Sequence, residues 1–89
     1  MENKVLVKII LPELDTDFDV FIPVNEIIWK IKRMLVKAFS DVSGIVLDNS
    51  CEYIFINKDT GRIYSNNDIV IDTDIRNSTE LLFLSVKES

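Results

Sequence analysis

Asn25–Phe39 reads NEIIWKIKRMLVKAF, the one stretch of the chain with a sustained helical period. At about 100° per residue, Val24, Ile27, Ile28, Ile31, Met34, Leu35, Ala38 and Phe39 fall on one broad face. A helix this short is marginal alone in water, so its apolar stripe needs a sheet to lie on. Asn25 is placed to cap the N-terminus, and Glu26 to meet the positive end of the helix dipole. Gly44 is a natural stop, after a frayed turn at 40–43. Trp29 and Val36, two turns apart, share a flank just outside the stripe, beside Lys32 and Arg33.

The flanking sequence supplies the sheet. Lys4–Leu11 (KVLVKIIL) alternates, with Val5, Val7, Ile9 and Leu11 on one side and Leu6 and Ile10 on the other. The turn formers and acids of PELDTD reverse the chain through a moderately long loop. Phe18–Val24 alternates again, Phe18, Val20, Ile22 and Val24 facing away from Asp19 and Phe21, and Pro23 closes the strand. Beyond the helix, Ile45–Leu47 reads as an apolar plug. Cys51–Ile56 (CEYIFI) reads as a β-branched, aromatic strand. A turn at Asn57–Gly61 leads to a brief strand at Arg62–Tyr64. Ile69, Val70, Ile71 and Ile75 are apolar anchors, and Glu80–Val86 (ELLFLSV) is a strongly apolar last strand. The first and last strands are the richest in aliphatics, as central strands must be. Pairing them in parallel gives an α+β fold, a β-grasp. It has ββαββ order, with four to five strands in a mixed sheet and one helix across one face.

The bulk numbers bound the function. With 89 residues the chain is sized for a single domain, 1–89, and 47% hydrophobic content supports a real core. No run approaches the roughly 20 apolar residues of a bilayer span, and the N-terminus lacks a signal peptide's pattern. The expectation is a cytoplasmic protein with no membrane insertion. Net charge is −5, against nucleic acid as partner. That charge is uneven: Lys30, Lys32, Arg33 and Lys37 against Glu26 make the helix locally basic.

No catalytic constellation stands out. Cys51 is the only cysteine, and with no histidine it has neither a base nor fellow zinc ligands; it reads as a small buried hydrophobe. Asp15/Asp17 and Asp72/Asp74 read as turn formers. The basic helix has no glycine-rich loop to make a nucleotide site. The expectation is a protein that is not an enzyme, with no cofactor, no metal and no small-molecule substrate.

The order and spacing of elements resemble those of ubiquitin-like proteins over nearly the whole chain. Two stretches, Asp19–Pro23 into the helix as far as Ile31, and Asp72–Leu84, are similar to the YukD/EsaB family. These small bacterial proteins are encoded with type VII (ESX-like) secretion systems of Gram-positive bacteria. Ser78 stands where that pattern usually has glycine. Conjugated members resemble one another in a terminal Gly-Gly. The only glycines here are Gly44 and Gly61, so covalent conjugation is not expected.

The face of the sheet away from the helix retains apolar groups: Leu6, Ile10, Phe21, and one alternate set from each of the third and last strands. Pattern alone leaves the choice open between Ile54/Ile56 and Tyr53/Phe55, and between Leu82/Leu84 and Leu81/Phe83. The resemblance implies Ile54, Ile56, Leu82 and Leu84 outward, and a protein-binding role for that face. Trp29 with Val36 is a second, smaller candidate surface. The function expected is a non-catalytic interaction module, an accessory or regulatory component of a type VII secretion apparatus. Its partner would be another protein, such as a component of that apparatus, or a second copy of itself. The alternative is a homodimerising structural ubiquitin-like protein of an unrelated pathway.

Overall fold

The computed structural model describes residues 3–44 and 52–86, with the side chains of 42 and 43 left aside; Ile45–Leu47 and Cys51 lie outside the described residues. Strands β1 (Lys4–Leu11) and β2 (Thr16–Pro23) form a hairpin, and helix α1 (Ile28–Ser43) follows. Strands β3 (Glu52–Asn57) and β4 (Glu80–Val86) complete the set, with single 3-10 turns at Pro12–Leu14 and Val70–Asp72. The sheet order is β2-β1-β4-β3. β1 and β4 are parallel at its centre and the outer pairs are antiparallel. This is the expected β-grasp, with four strands among the described residues: Arg62–Tyr64 contributes only an isolated bridge, Ile63 to Ile56.

The core lies between sheet and helix. Val7, Ile9, Leu11, Ile22, Phe55, Leu81 and Phe83 face α1 and are buried, as are Ile28, Ile31, Leu35 and Phe39 from the helix itself. Two aromatic strands meet there: Phe83 stacks on Tyr53 at 4.7 Å and lies tilted to Phe55 at 5.0 Å. Val70 and Ile75 plug the end of the core. Ile69 and Ile71 do not, because the one-turn Val70–Asp72 helix sends only Val70 inward.

The helix is rolled relative to the reading from its sequence. Met34 is 50% exposed and Ala38 is exposed, while Lys32 (9%) and Val36 (8%) are buried. Both flanks of the stripe carry apolar groups, so the roll is set by what docks beside it. The docking piece is the 65–68 loop. Ile28 N–H donates to the Asp68 carbonyl at 2.8 Å and Trp29 N–H to that of Asn66 at 3.3 Å, while Lys32 Nζ donates to Asn66 Oδ1 at 2.5 Å. These carbonyls do the capping expected of Asn25. The helix therefore starts at Ile28, with Ile27 extended at the cap position and no side-chain cap. At the other end the helix stays regular through Ser43. Gly44 closes it at φ 76°, its N–H on the Ser40 carbonyl at 3.0 Å.

The hairpin is tighter than expected. Pairing runs to Leu11–Thr16, and the four connecting residues are the Pro12–Leu14 turn plus Asp15, left-handed at φ 50°. Asp17 consequently belongs to β2, whereas the sequence suggested a turn. Ser78 is also left-handed, at φ 74°, while its N–H is held by the Leu6 carbonyl at 2.8 Å. That conformation costs an L-residue about 1–2 kcal/mol, offset in part by the greater unfolded-chain entropy of glycine. Ser78→Gly is therefore expected to stabilise the protein by about 0.5–1 kcal/mol, read as a rise of a few degrees in thermal midpoint. An unchanged or lower midpoint would remove strain from the account of this turn.

Candidate functional site

Alternation along β3 and β4 leaves Phe55, Leu81 and Phe83 buried and Ile54, Ile56, Leu82 and Leu84 half-buried on the face away from the helix. Register assembles them. Leu82 lies opposite Ile10 on one side and Ile56 on the other, and Leu84 lies opposite Ile54. Ile10, Leu82, Ile56, Leu84 and Ile54 thus form one apolar patch across three strands. Val86, 41% exposed and next on the same side of β4, extends it toward the sheet end.

Leu6 and Phe21 pair with each other across β1 and β2, and Phe21 is 63% exposed. They do not join the patch. Between them runs a charged row: Lys8 lies opposite Asp19 on β2 and Glu80 on β4. Glu80 in turn holds Lys58 Nζ at 3.7 Å. Exposed pairs of this kind contribute little to stability, but they keep the two apolar groups apart. The patch ends at Asp17, opposite Ile10, and at the Pro12–Leu14 turn. There the Glu13 carboxylate accepts the backbone N–H and the hydroxyl of Ser85.

On the helix, Trp29 is 38% exposed. Its neighbours are cations: Lys30 Nζ lies 5.7 Å from the ring centroid and the Arg33 guanidinium 5.8 Å. The expected pairing with Val36 is overturned, because the roll of the helix buries Val36. Met34, not Val36, is the exposed apolar group beyond Arg33. Lys32 is withdrawn from that surface. Burial holds its amine below the usual lysine range, partly countered by the charge of Glu52.

A polar cluster that the sequence reading missed ties the 57–64 turn to the 72–76 segment. Tyr64 Oη donates to Asp74 Oδ1 and accepts from Asn57 Nδ2 at 3.2 Å. Arg62 lies 5.1 Å over the Tyr64 ring and 3.6 Å from the Asp74 carboxylate. Asn57 Oδ1 receives the N–H groups of Asp59 and Thr60, and Gly61 turns the chain at φ 77°. Burial, then the bond to Asp74, raises the Tyr64 hydroxyl above its ordinary 10.0. The cluster keeps a buried tyrosine neutral and satisfied, which is a structural task. Tyr64→Phe is expected to cost about 1–2 kcal/mol at neutral pH, by urea unfolding. A group with a raised folded-state pKa stabilises fully below its unfolded value and loses that contribution as pH rises through the folded one. The gap between wild type and Tyr64→Phe should therefore narrow above pH 10.0. A gap that widens there would contradict the assignment.

No protein-family model matches the sequence, and neither does any curated protein. Solved structures do match in shape. The EccD5 ubiquitin-like domain from Mycobacterium xenopi superposes with TM-score 0.71 at 11% identity, over 97% of this chain and 98% of that one. The chain has the ubiquitin-like fold. A second match is a chain of the MycP5-free ESX-5 inner membrane complex, with TM-score 0.71 at 11% identity. It takes in 98% of this sequence but only 22% of that chain, so the likeness is to one part of a longer protein. A chain of the toluene 4-monooxygenase HD complex also matches, with TM-score 0.74 at 7% identity over 93% of this chain and 99% of that one. Identities this low speak for the fold alone, and a ubiquitin-like fold serves many tasks. Among the described residues no helix is long and apolar enough to cross a membrane.

Proposed function

We propose that this protein is a non-catalytic ubiquitin-like interaction module that docks another protein on the outer face of its sheet. The carrying observation is the patch of Ile10, Leu82, Ile56, Leu84 and Ile54, held in register over three strands on the face that the core does not use. A contiguous apolar surface rimmed by charge is the usual mark of an interface. We place it in the cytoplasm as an accessory or regulatory component of a type VII secretion apparatus. Supporting that setting are the sequence resemblance to YukD/EsaB and the shape shared with an ESX-5 component. The test is affinity capture from the native host with the intact chain and with Leu82→Asp as matched baits. The reading expects a secretion-system protein with the first and none with the second. Equal capture by both removes the outer face as the docking surface. Specific capture of proteins from another pathway removes the secretion setting and leaves the module reading standing.

A further inference from the structure

The sheet has two edge strands, β2 and β3, and the chain treats them differently. Along β3 the Arg62–Tyr64 segment lies against the edge. Asn57 N–H donates to the Arg62 carbonyl at 2.8 Å, and Tyr64 N–H to the Phe55 carbonyl at 3.2 Å. Tyr64 joins the core from there, and Phe55 is 1% exposed. The β2 edge is open. On β1, Leu6 and Lys8 turn their backbone groups toward the lead-in to β4. Leu6 N–H donates to Asn77 Oδ1, the Leu6 carbonyl accepts from Ser78 N–H, and Lys8 N–H donates to the Thr79 carbonyl. Antiparallel alternation then turns Val5, Val7 and Ile9 toward β2, opposite Ile22, Val20 and Phe18. The N–H and carbonyl groups of Asp17, Asp19 and Phe21 therefore point away from the sheet. Among the described residues no other segment pairs with them. Pro23, next in that outward row, has no N–H to leave unpaired.

The side chains at this edge have an uncovered look on both faces. Inward, Phe18 and Val20 are only half-buried, whereas Ile9 and Val7 opposite them on β1 are 0% exposed. Outward, Asp17 and Asp19 are exposed, and among the described residues neither is in an ion pair. We propose that the β2 edge takes an extended segment of a partner protein as a fifth strand, apolar on its inner face and cationic on its outer face. Backbone pairing supplies the affinity of such an addition, and alternation of side chains supplies the choice. Apolar inner groups cover Phe18 and Val20, as Tyr64 closes the other edge. Lysine or arginine on the outer side stands across from Asp17 and Asp19, where opposite charge favours pairing and like charge opposes it. A second copy of this chain is a poor occupant for that reason. The antiparallel register that uses all three outward residues sets Asp19 against Asp19, a device that keeps edges from pairing with themselves. Leu82 lies two strands away, so this edge stands apart from the outer-face patch.

The probe is a synthetic peptide of about ten residues alternating valine and lysine, titrated to about 1 mM against the intact chain and followed by amide NMR and hydrogen exchange. In the free protein the amides of Asp17, Asp19 and Phe21 are expected to exchange fast, and those of Phe18 and Val20 slowly. Bound peptide should slow the first three by about tenfold or more. A valine–glutamate peptide, and the lysine peptide N-methylated throughout, should each bind at least about tenfold more weakly. Asp17→Lys/Asp19→Lys should reverse the preference toward the glutamate peptide; Asp17→Lys alone replaces it if circular dichroism shows the pair unfolded. Leu82→Asp should bind the lysine peptide as wild type does. No binding by the top of the titration, equal binding of the two charge types, or binding indifferent to N-methylation overturns the inference. So does protection of the three amides in the free chain at low concentration, which means that the chain covers its own edge. Protection that grows with protein concentration alone makes the occupant a second copy. Loss of the peptide in a folded Leu82→Asp puts it on the outer face instead, leaving that docking surface standing and this one not.

Discussion

Phe83→Ala is expected to cost about 3–5 kcal/mol of folding free energy. Phe83 is 2% exposed in β4, a central strand between β1 and β3. Its ring stacks on Tyr53 and meets Phe55, so truncation removes one member of a three-ring cluster and leaves a cavity among residues held by sheet pairing. Native domains have only about 5–15 kcal/mol in hand, and a short chain with one small core belongs near the lower end. The variant should therefore be close to unfolding at 37 °C. Leu84→Ala, one residue along on the opposite face, should cost less than about 1 kcal/mol. Urea unfolding of the pair reads the difference directly. Equal losses would mean that the core does not lie between sheet and helix.

Leu82→Asp has the largest expected effect on binding. Leu82 lies at the centre of the patch, opposite Ile10 and Ile56. Docking would strip water from a carboxylate with no partner on either neighbour. Central positions of this kind typically cost 2 kcal/mol or more, about 30-fold or more in Kd. Folding should change by less than about 1 kcal/mol, because the side chain is half-buried and faces away from the core. Phe21→Asp supplies the contrast. Phe21 is more exposed, but it lies beyond the row of Asp19, Lys8 and Glu80. Its substitution should weaken the partner several-fold less, as measured by isothermal titration of both variants. Equal losses would extend the site across that row, and no loss at Leu82 would remove the site.

Much of this architecture is legible in the chain, and the unreadable parts share a cause. Alternation in Lys4–Leu11 and Thr16–Pro23 decides which groups face inward, because polar residues mark the other side. The runs YIFI and LLFL have no such marker, since both faces of β3 and β4 are apolar. Their orientation is decided by Phe55 and Phe83 meeting inside, a contact between strands far apart in sequence. The helix shows the same limit. Its period is plain, but the choice between Met34 and Val36 depends on a loop more than thirty residues later, which also supplies the caps through the Asn66 and Asp68 carbonyls. The Tyr64 cluster joins segments that share no local pattern. The patch was readable as a set of residues. Its division by the Lys8 row was not, because parallel register between the first and last strands is a tertiary fact.

The central claim is that the outer sheet face receives another protein, and methyl NMR with a captured partner tests it most directly. Titrating that partner into isotopically labelled protein should shift the methyl signals of Ile10, Ile54, Ile56, Leu82 and Leu84. Those of Ile28 and Ile31, buried under the helix, should move little. Perturbation confined to the helix surface around Trp29 and Met34, with the five patch residues unmoved, would contradict it.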